Sequence, residues 1–210
     1  MADNKEQAMR KQVLVDHALD LFSKHGYDNT TVSEIAKASG VAKGLVYYYF
    51  ASKEEILESV AEYVCSRHIE RLTRKMEAQD LDFFGRLLLL MEAYYDIHPY
   101  TKSGASLLWS QNTVFADVFH QIYLRRIDNL LSSIVKQGES EGYLNIKYPK
   151  LMIIMTLEGI FGLGRYQAVK RSEVLELIEQ SLNLPQHSLG KQGNALLTHF
   201  ENQGGDSFER

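Results

Sequence analysis

Between Thr31 and Lys53 the chain reads TVSEIAKASGVAKGLVYYYFASK, and here its charged and aromatic residues fall into a usable pattern. Three lysines (Lys37, Lys43, Lys53) stand against one glutamate (Glu34), a balance of +2 within a chain of net charge −4. Lysine ammonium groups, tyrosine hydroxyls and the free N–H groups at helix starts all suit phosphate oxygens. Two such starts are expected here, at Thr31 and Ser52. Val32, Ile35 and Ala36 form one apolar stripe, and Val41, Val46 and Phe50 form another. Helices this short are unstable alone, so the two stripes must pack on each other and on a preceding helix. Lys43, Gly44, Leu45, Tyr47 and Tyr48 are left pointing outward. They begin at the N-terminal end of their helix, the end by which a recognition helix reaches base edges.

The other reactive side chains form weaker patterns. Cys65 and His68 share an i, i+3 spacing, but two ligands do not make a zinc site. A packed thiol and a surface histidine are expected, with no metal. No nucleophile motif, phosphate-cradling glycine loop or HExxH run occurs, so neither a catalytic residue nor a cofactor is expected. Gly159-Ile160-Phe161-Gly162-Leu163-Gly164 follows no strand, and reads as small residues that let two helices approach closely.

The elements that position these residues are helical. Only three prolines occur (Pro99, Pro149, Pro185), and apolar residues recur at helical spacing, as in Ile56, Val60, Tyr63 and Val64. The spacing predicts a first helix over about 6–25 that ends at Gly26, and a second from Thr31 toward Gly40. A third follows over Lys43 to Phe50, then a long one from Ser52 to about Met76. Thr31–Glu34 and Ser52–Glu55 both carry capping-box spacing. Further helices are expected at about 81–97, 104–116, 118–140, 148–169 and 172–182. A loose polar tail follows Pro185, with at most a short helix at Asn194 to Phe200. The fold class is all-α: an N-terminal helix-turn-helix domain over 1–54 and a helical bundle over 55–184, with the tail over 185–210.

Composition bounds the setting. The 210 residues are 45% apolar and 24% charged, with a single cysteine, which excludes a disulfide scaffold and whole-chain disorder. Apolar runs such as Leu87 to Met91 and Leu151 to Met155 fall far short of the roughly 20 residues a membrane helix needs. The charged start, Met1-Ala2-Asp3-Asn4-Lys5-Glu6, lacks a secretory signal, so a soluble cytoplasmic protein is expected.

The run Gly26-Tyr27-Asp28-Asn29-Thr30-Thr31-Val32, then Ile35-Ala36, Gly40 to Gly44, Tyr47 to Phe50 and Ser52 to Glu55, resembles the TetR family of transcriptional regulators. The resemblance covers about residues 8 to 60. It implies that Thr31 and Lys53 contact phosphate, that Lys43, Gly44 and Leu45 face base edges, and that Tyr47 and Tyr48 touch backbone or nearby bases. Leu45 cannot hydrogen-bond a base, and a thymine methyl is its natural partner. The resemblance further implies a homodimer on double-stranded DNA, joined through the last two long helices, with Leu130, Leu131, Ile134, Met155, Gly159 and Gly162 as interface residues.

The helices from Phe83 to Tyr166 are rich in aromatics. These serve either as bundle core or as the lining of an apolar cavity for a small-molecule effector. In the second reading Tyr94, Tyr95, Trp109, Phe115, His120, Tyr123, Met155, Phe161 and Tyr166 line it, and Glu158 or Arg165 selects a charged ligand. The function expected is thus a ligand-responsive repressor. A regulator governed by a protein partner and a helical enzyme without a recognisable motif are the alternatives.

Overall fold

The computed structural model describes residues 2–96, 113–166 and 171–190, with the side chains of 2–4, 95–96, 113–114, 116, 160–166 and 171 left out. Regular structure among the described residues is entirely helical: α1 (Ala2–His25), α2 (Val32–Ala38), α3 (Lys43–Tyr49), α4 (Lys53–Glu77), α5 (Phe83–Asp96), α6 (Thr113–Arg126), α7 (Asp128–Ser140), α8 (Pro149–Tyr166) and α9 (Arg171–Ser181). They fall into two compact units. One holds 2–69 and 113–126, the other 70–96, 127–166 and 171–190.

In the first unit Leu14, Ala18 and Phe22 recur every four residues along α1 and are buried, as the periodicity requires. Gly26, at φ +81°, ends the helix in the left-handed region, and Asn29 Nδ2 donates to the His25 carbonyl at 3.1 Å. α2 packs on both α1 and α3 and buries Val32, Ile35 and Ala36. Its end is a Schellman turn: Gly40 has φ +67°, its N–H donates to the Lys37 carbonyl, and the Val41 N–H reaches back to Ala36 at 3.0 Å. That glycine turns the chain into α3, where Val46 and Phe50 are buried.

In the second unit α5, α7 and α8 pack pairwise, and α9 lies on α8. α5 and α7 approach closely at Gly138, where a Cβ would stand 2.6 Å from Leu144 Cδ1 and 2.7 Å from the Phe83 ring. The helix expected over 118–140 is two helices. Ile127 interrupts it, buried, with φ −76° and ψ −2°. Asp128 then opens α7, where a carboxylate suits the helix N-terminus and pairs with Lys150. The helix expected at 104–116 lies mostly outside the described residues, and its last four residues belong to α6.

The tail expected to be loose from Pro185 is packed as far as residue 190. Glu179 is buried, and its two carboxylate oxygens accept the backbone N–H groups of His187 (2.9 Å) and Leu189 (2.8 Å). Leu189 is fully buried. Residues 191–210, with the short helix expected there, lie outside the described residues. Glu179→Ala removes both acceptors from two backbone donors and should cost about 3 kcal/mol. In a thermal melt this reads as a fall on the order of 6–12 °C, with Glu179→Gln falling less because it keeps one acceptor.

Candidate nucleic-acid interface

Three local devices hold α3 in place for contact. Thr31 accepts the Glu34 N–H through its hydroxyl (3.2 Å), while a Glu34 carboxylate oxygen takes the Thr31 N–H at 2.7 Å, completing the expected capping box. The backbone and hydroxyl of Thr31 hold the Glu34 carboxyl below its ordinary range. This contribution is therefore complete above the ordinary carboxylate range and is lost as pH falls through the lowered value. At the start of α4 the Ser52 hydroxyl accepts the Glu55 N–H at 3.3 Å, and Glu55 returns to the N–H of Ala51 at 2.6 Å, one residue before the expected target. The Schellman turn at Gly40 supplies the third.

What α3 exposes is close to the sequence expectation. Lys43 and Gly44 are exposed, and Tyr47 and Tyr48 are 49% and 68% exposed. Lys43 Nζ lies 5.8 Å from the Tyr47 ring centre, one helical turn along. Among the described residues no atom stands within 4 Å of where a Cβ on Gly44 would be, so its surface is flat and open to them. Leu45 differs: it is half-buried and lines an apolar groove together with Val13, Leu14, Val41 and Tyr49. Tyr49 is half-buried and meets the edge of Tyr48.

The flanking residues carry partners of their own. The Thr31 hydroxyl donates to Glu34 at 2.8 Å, so a phosphate there must compete with the cap. Lys53, half-buried, holds its ammonium 4.1 Å from the centre of the Tyr27 ring. Tyr27 donates its hydroxyl to Glu54 at 3.3 Å. Burial and the Glu54 charge push that phenol up to about 12. The sequence pattern assigns Tyr27 no role of its own, although Gly26-Tyr27 opens the motif.

The residues named for an effector site are divided between the units. In the first, Phe115 and Tyr123 on α6 are buried and His120 is half-buried. Phe115, Phe119 and Tyr123 form a ladder with ring centres 6.1 and 5.9 Å apart. His68 is half-buried with its ring 5.8 Å from Tyr123, and so is not the surface residue expected. Cys65 is packed as expected, and burial pushes its thiol up to about 12, far from a reactive thiolate. Among the described residues no three metal-ligating side chains cluster.

In the second unit Tyr94 is buried and donates its hydroxyl to Glu158 at 2.5 Å. Met155 is 64% exposed on the outer face of α8, away from any interior. Tyr95, Trp109, Phe161, Tyr166 and Arg165 lie outside the described side chains. Of the residues named for a dimer contact, Leu131 and Ile134 are fully buried in their own unit, Leu130 is half-buried, and Gly159 is exposed. Gly162 is in α8, its surroundings undescribed. No described helix is long and apolar enough to cross a membrane.

Residues 14–60 match the family described as bacterial regulatory proteins, tetR family. The fatty acid metabolism regulator protein of Bacillus subtilis is 26% identical over 161 residues, covering 73% of this chain and 82% of the relative. Two solved structures share the fold. FadR from Bacillus subtilis in complex with stearoyl-CoA is 22% identical with a TM-score of 0.50, over 82% of this chain and 95% of that one. RolR in complex with resorcinol is 15% identical with a TM-score of 0.65, over 93% and 96%.

Proposed function

Because this chain belongs to the TetR family of transcriptional regulators, we propose that it is a dimeric repressor that binds a near-palindromic operator and is released by a small molecule. The observation that carries the DNA-binding part is α3. Its apolar residues Val46 and Phe50 are buried while Lys43, Gly44, Tyr47 and Tyr48 stand in solvent from its first turn onward. In this reading Lys43 and Gly44 meet base edges, and Tyr47 and Tyr48 meet backbone or adjacent bases. Lys53 and Thr31, whose hydroxyl also serves the α2 cap, contact phosphates on either side. Leu45 contributes its half-exposed edge to a thymine methyl.

Two such reading heads related by a two-fold would occupy successive major grooves. The exposed apolar stripe of α8 supports the dimer, with Leu151, Met155 and Gly159 on one face. The helical region beyond residue 54 carries the effector and dimer functions, and the chain acts in the cytoplasm by binding, without catalysis. An effector shifts the balance between DNA-binding and released arrangements only by its difference in affinity for the two. Stearoyl-CoA and resorcinol, bound by two proteins of like fold, differ so much in chemistry that the effector's class rests on this chain's own aromatics.

The test is a genomic-fragment binding selection with the purified full chain at two salt concentrations. Recovery of one near-palindromic sequence, bound less tightly at the higher salt, is the expected result. Sequence-blind binding would remove the operator reading, and no binding would remove the regulator reading altogether.

A further inference from the structure

We propose that the groove between α1 and α3 is a docking site for one deoxyribose-phosphate unit of the DNA backbone, with Arg10 of α1 as the phosphate ligand. This rests on the DNA-binding reading and extends it to a helix outside the helix-turn-helix pair. The groove has a volume of about 210 Å³, with walls formed by Val13, Val41, Leu45 and Tyr49 and with Arg10 as the single charged residue lining it. That size lies between a cavity of about 150 Å³ that holds one benzene ring and the roughly 300 Å³ at which drug-sized pockets begin. It suits a single sugar ring with its phosphate.

Charge and continuity identify the occupant. An apolar wall with one cation complements a ligand with a carbon-rich ring face and one negative charge, which is what each backbone unit of DNA presents. Leu45 and Tyr49 belong both to the groove and to α3, so the groove continues the face that carries Lys43, Gly44, Tyr47 and Tyr48. Arg10 is free to turn toward a phosphate. Its partner is Glu6, one turn back at 2.6 Å, with both side chains more than half exposed, and exposed pairs of this kind contribute little. A guanidinium offers a phosphate two parallel donors, and contacts of that class make up half or more of protein–DNA hydrogen bonds. Val13, 45% exposed on the same α1 face, leaves the apolar wall open to a ligand from solvent.

The experiment measures binding of the full chain to a mixed-sequence duplex of about 30 base pairs, long enough for two reading heads one helical turn apart. Salt is varied between about 50 and 200 mM. Arg10→Gln should weaken binding on the order of tenfold and reduce the slope of log affinity against log salt by about 1 per reading head. Val13→Glu should weaken binding further by placing a like charge against the phosphate. Lys24→Gln, about 21 Å farther along α1, should leave the slope unchanged. Unchanged affinity and slope in Arg10→Gln, with Lys43→Ala lowering affinity, would overturn the groove assignment and leave the DNA-binding reading intact. An equal fall in Lys24→Gln would also overturn it, since a general field would then explain the effect. A parent chain that binds no duplex would sink both.

Discussion

Leu151→Lys with Met155→Lys should convert the protein from a dimer to a monomer without unfolding it. Tyr148, Leu151, Met155 and Gly159 lie at i, i+3, i+7 and i+11, a spacing that sets them on one face of a helix. The three large ones are 57%, 58% and 64% exposed, while Ile153 and Leu157 on the opposite face are buried. Among the described residues nothing lies within 4 Å of a Cβ position on Gly159, so none of them requires glycine there. A partner helix approaching closely would. Covering a Leu or Met side chain contributes about 1.5–3 kcal/mol, and a two-fold interface counts each residue twice. Removing both residues from both protomers therefore withdraws on the order of 6 kcal/mol, which is at least a thousandfold in the dissociation constant. Sedimentation velocity at micromolar protein should show the parent as dimer and the variant as monomer with unchanged helical content. Ile134→Lys provides the contrast: that residue is fully buried in its own unit, so its substitution should lower the melting temperature. A double variant that remains dimeric would move the interface to another face.

The contrast between Met155 and Ile134 also marks how far the sequence could be read. Features set by a few adjacent residues were legible. The capping box at Thr31, the left-handed glycines at 26 and 40, and the start of the long helix at Ser52 all follow from local hydrogen-bond chemistry. The exposed set on α3 was legible because Val46 and Phe50 define the buried side of a two-turn helix. Leu45 was only half legible, since its position follows from α1, whose Val13 and Leu14 complete the groove. The break at Ile127 carries no glycine or proline to mark it; the isoleucine is buried there, and Asp128, which opens the next helix, pairs with Lys150, a residue distant in sequence. Glu179 looks like any helix-surface glutamate until residues 187 and 189 fold back onto it. The aromatics of the longer helices were the least legible, because buried core and cavity lining share one composition.

Lys43→Ala combined with Tyr47→Ala should reduce binding to the selected operator by about a thousandfold while leaving the dimer and melting temperature unchanged. Both residues are exposed, so truncation opens no cavity, and alanine is at least as good a helix former as either. Each base or phosphate contact contributes about 1–3 kcal/mol, and the two reading heads lose it together. The lysine and the tyrosine should differ in salt response. Lys43→Ala removes a charge and should lower the salt slope by about 1 per head if that charge meets phosphate, and leave it nearly unchanged if it meets a base. Tyr47→Ala removes a neutral group and should weaken binding at constant slope. Tyr47→Phe separates the hydroxyl from the ring: affinity as low as that of Tyr47→Ala assigns the contact to the hydroxyl, and affinity near the parent assigns it to the aromatic face. Val46→Ala, which hollows the core beneath α3, should instead lower stability and operator affinity together. If the Lys43/Tyr47 double variant held the operator as tightly as the parent, α3 would not be the reading helix, and the DNA contact would have to be sought on α1 and the start of α4.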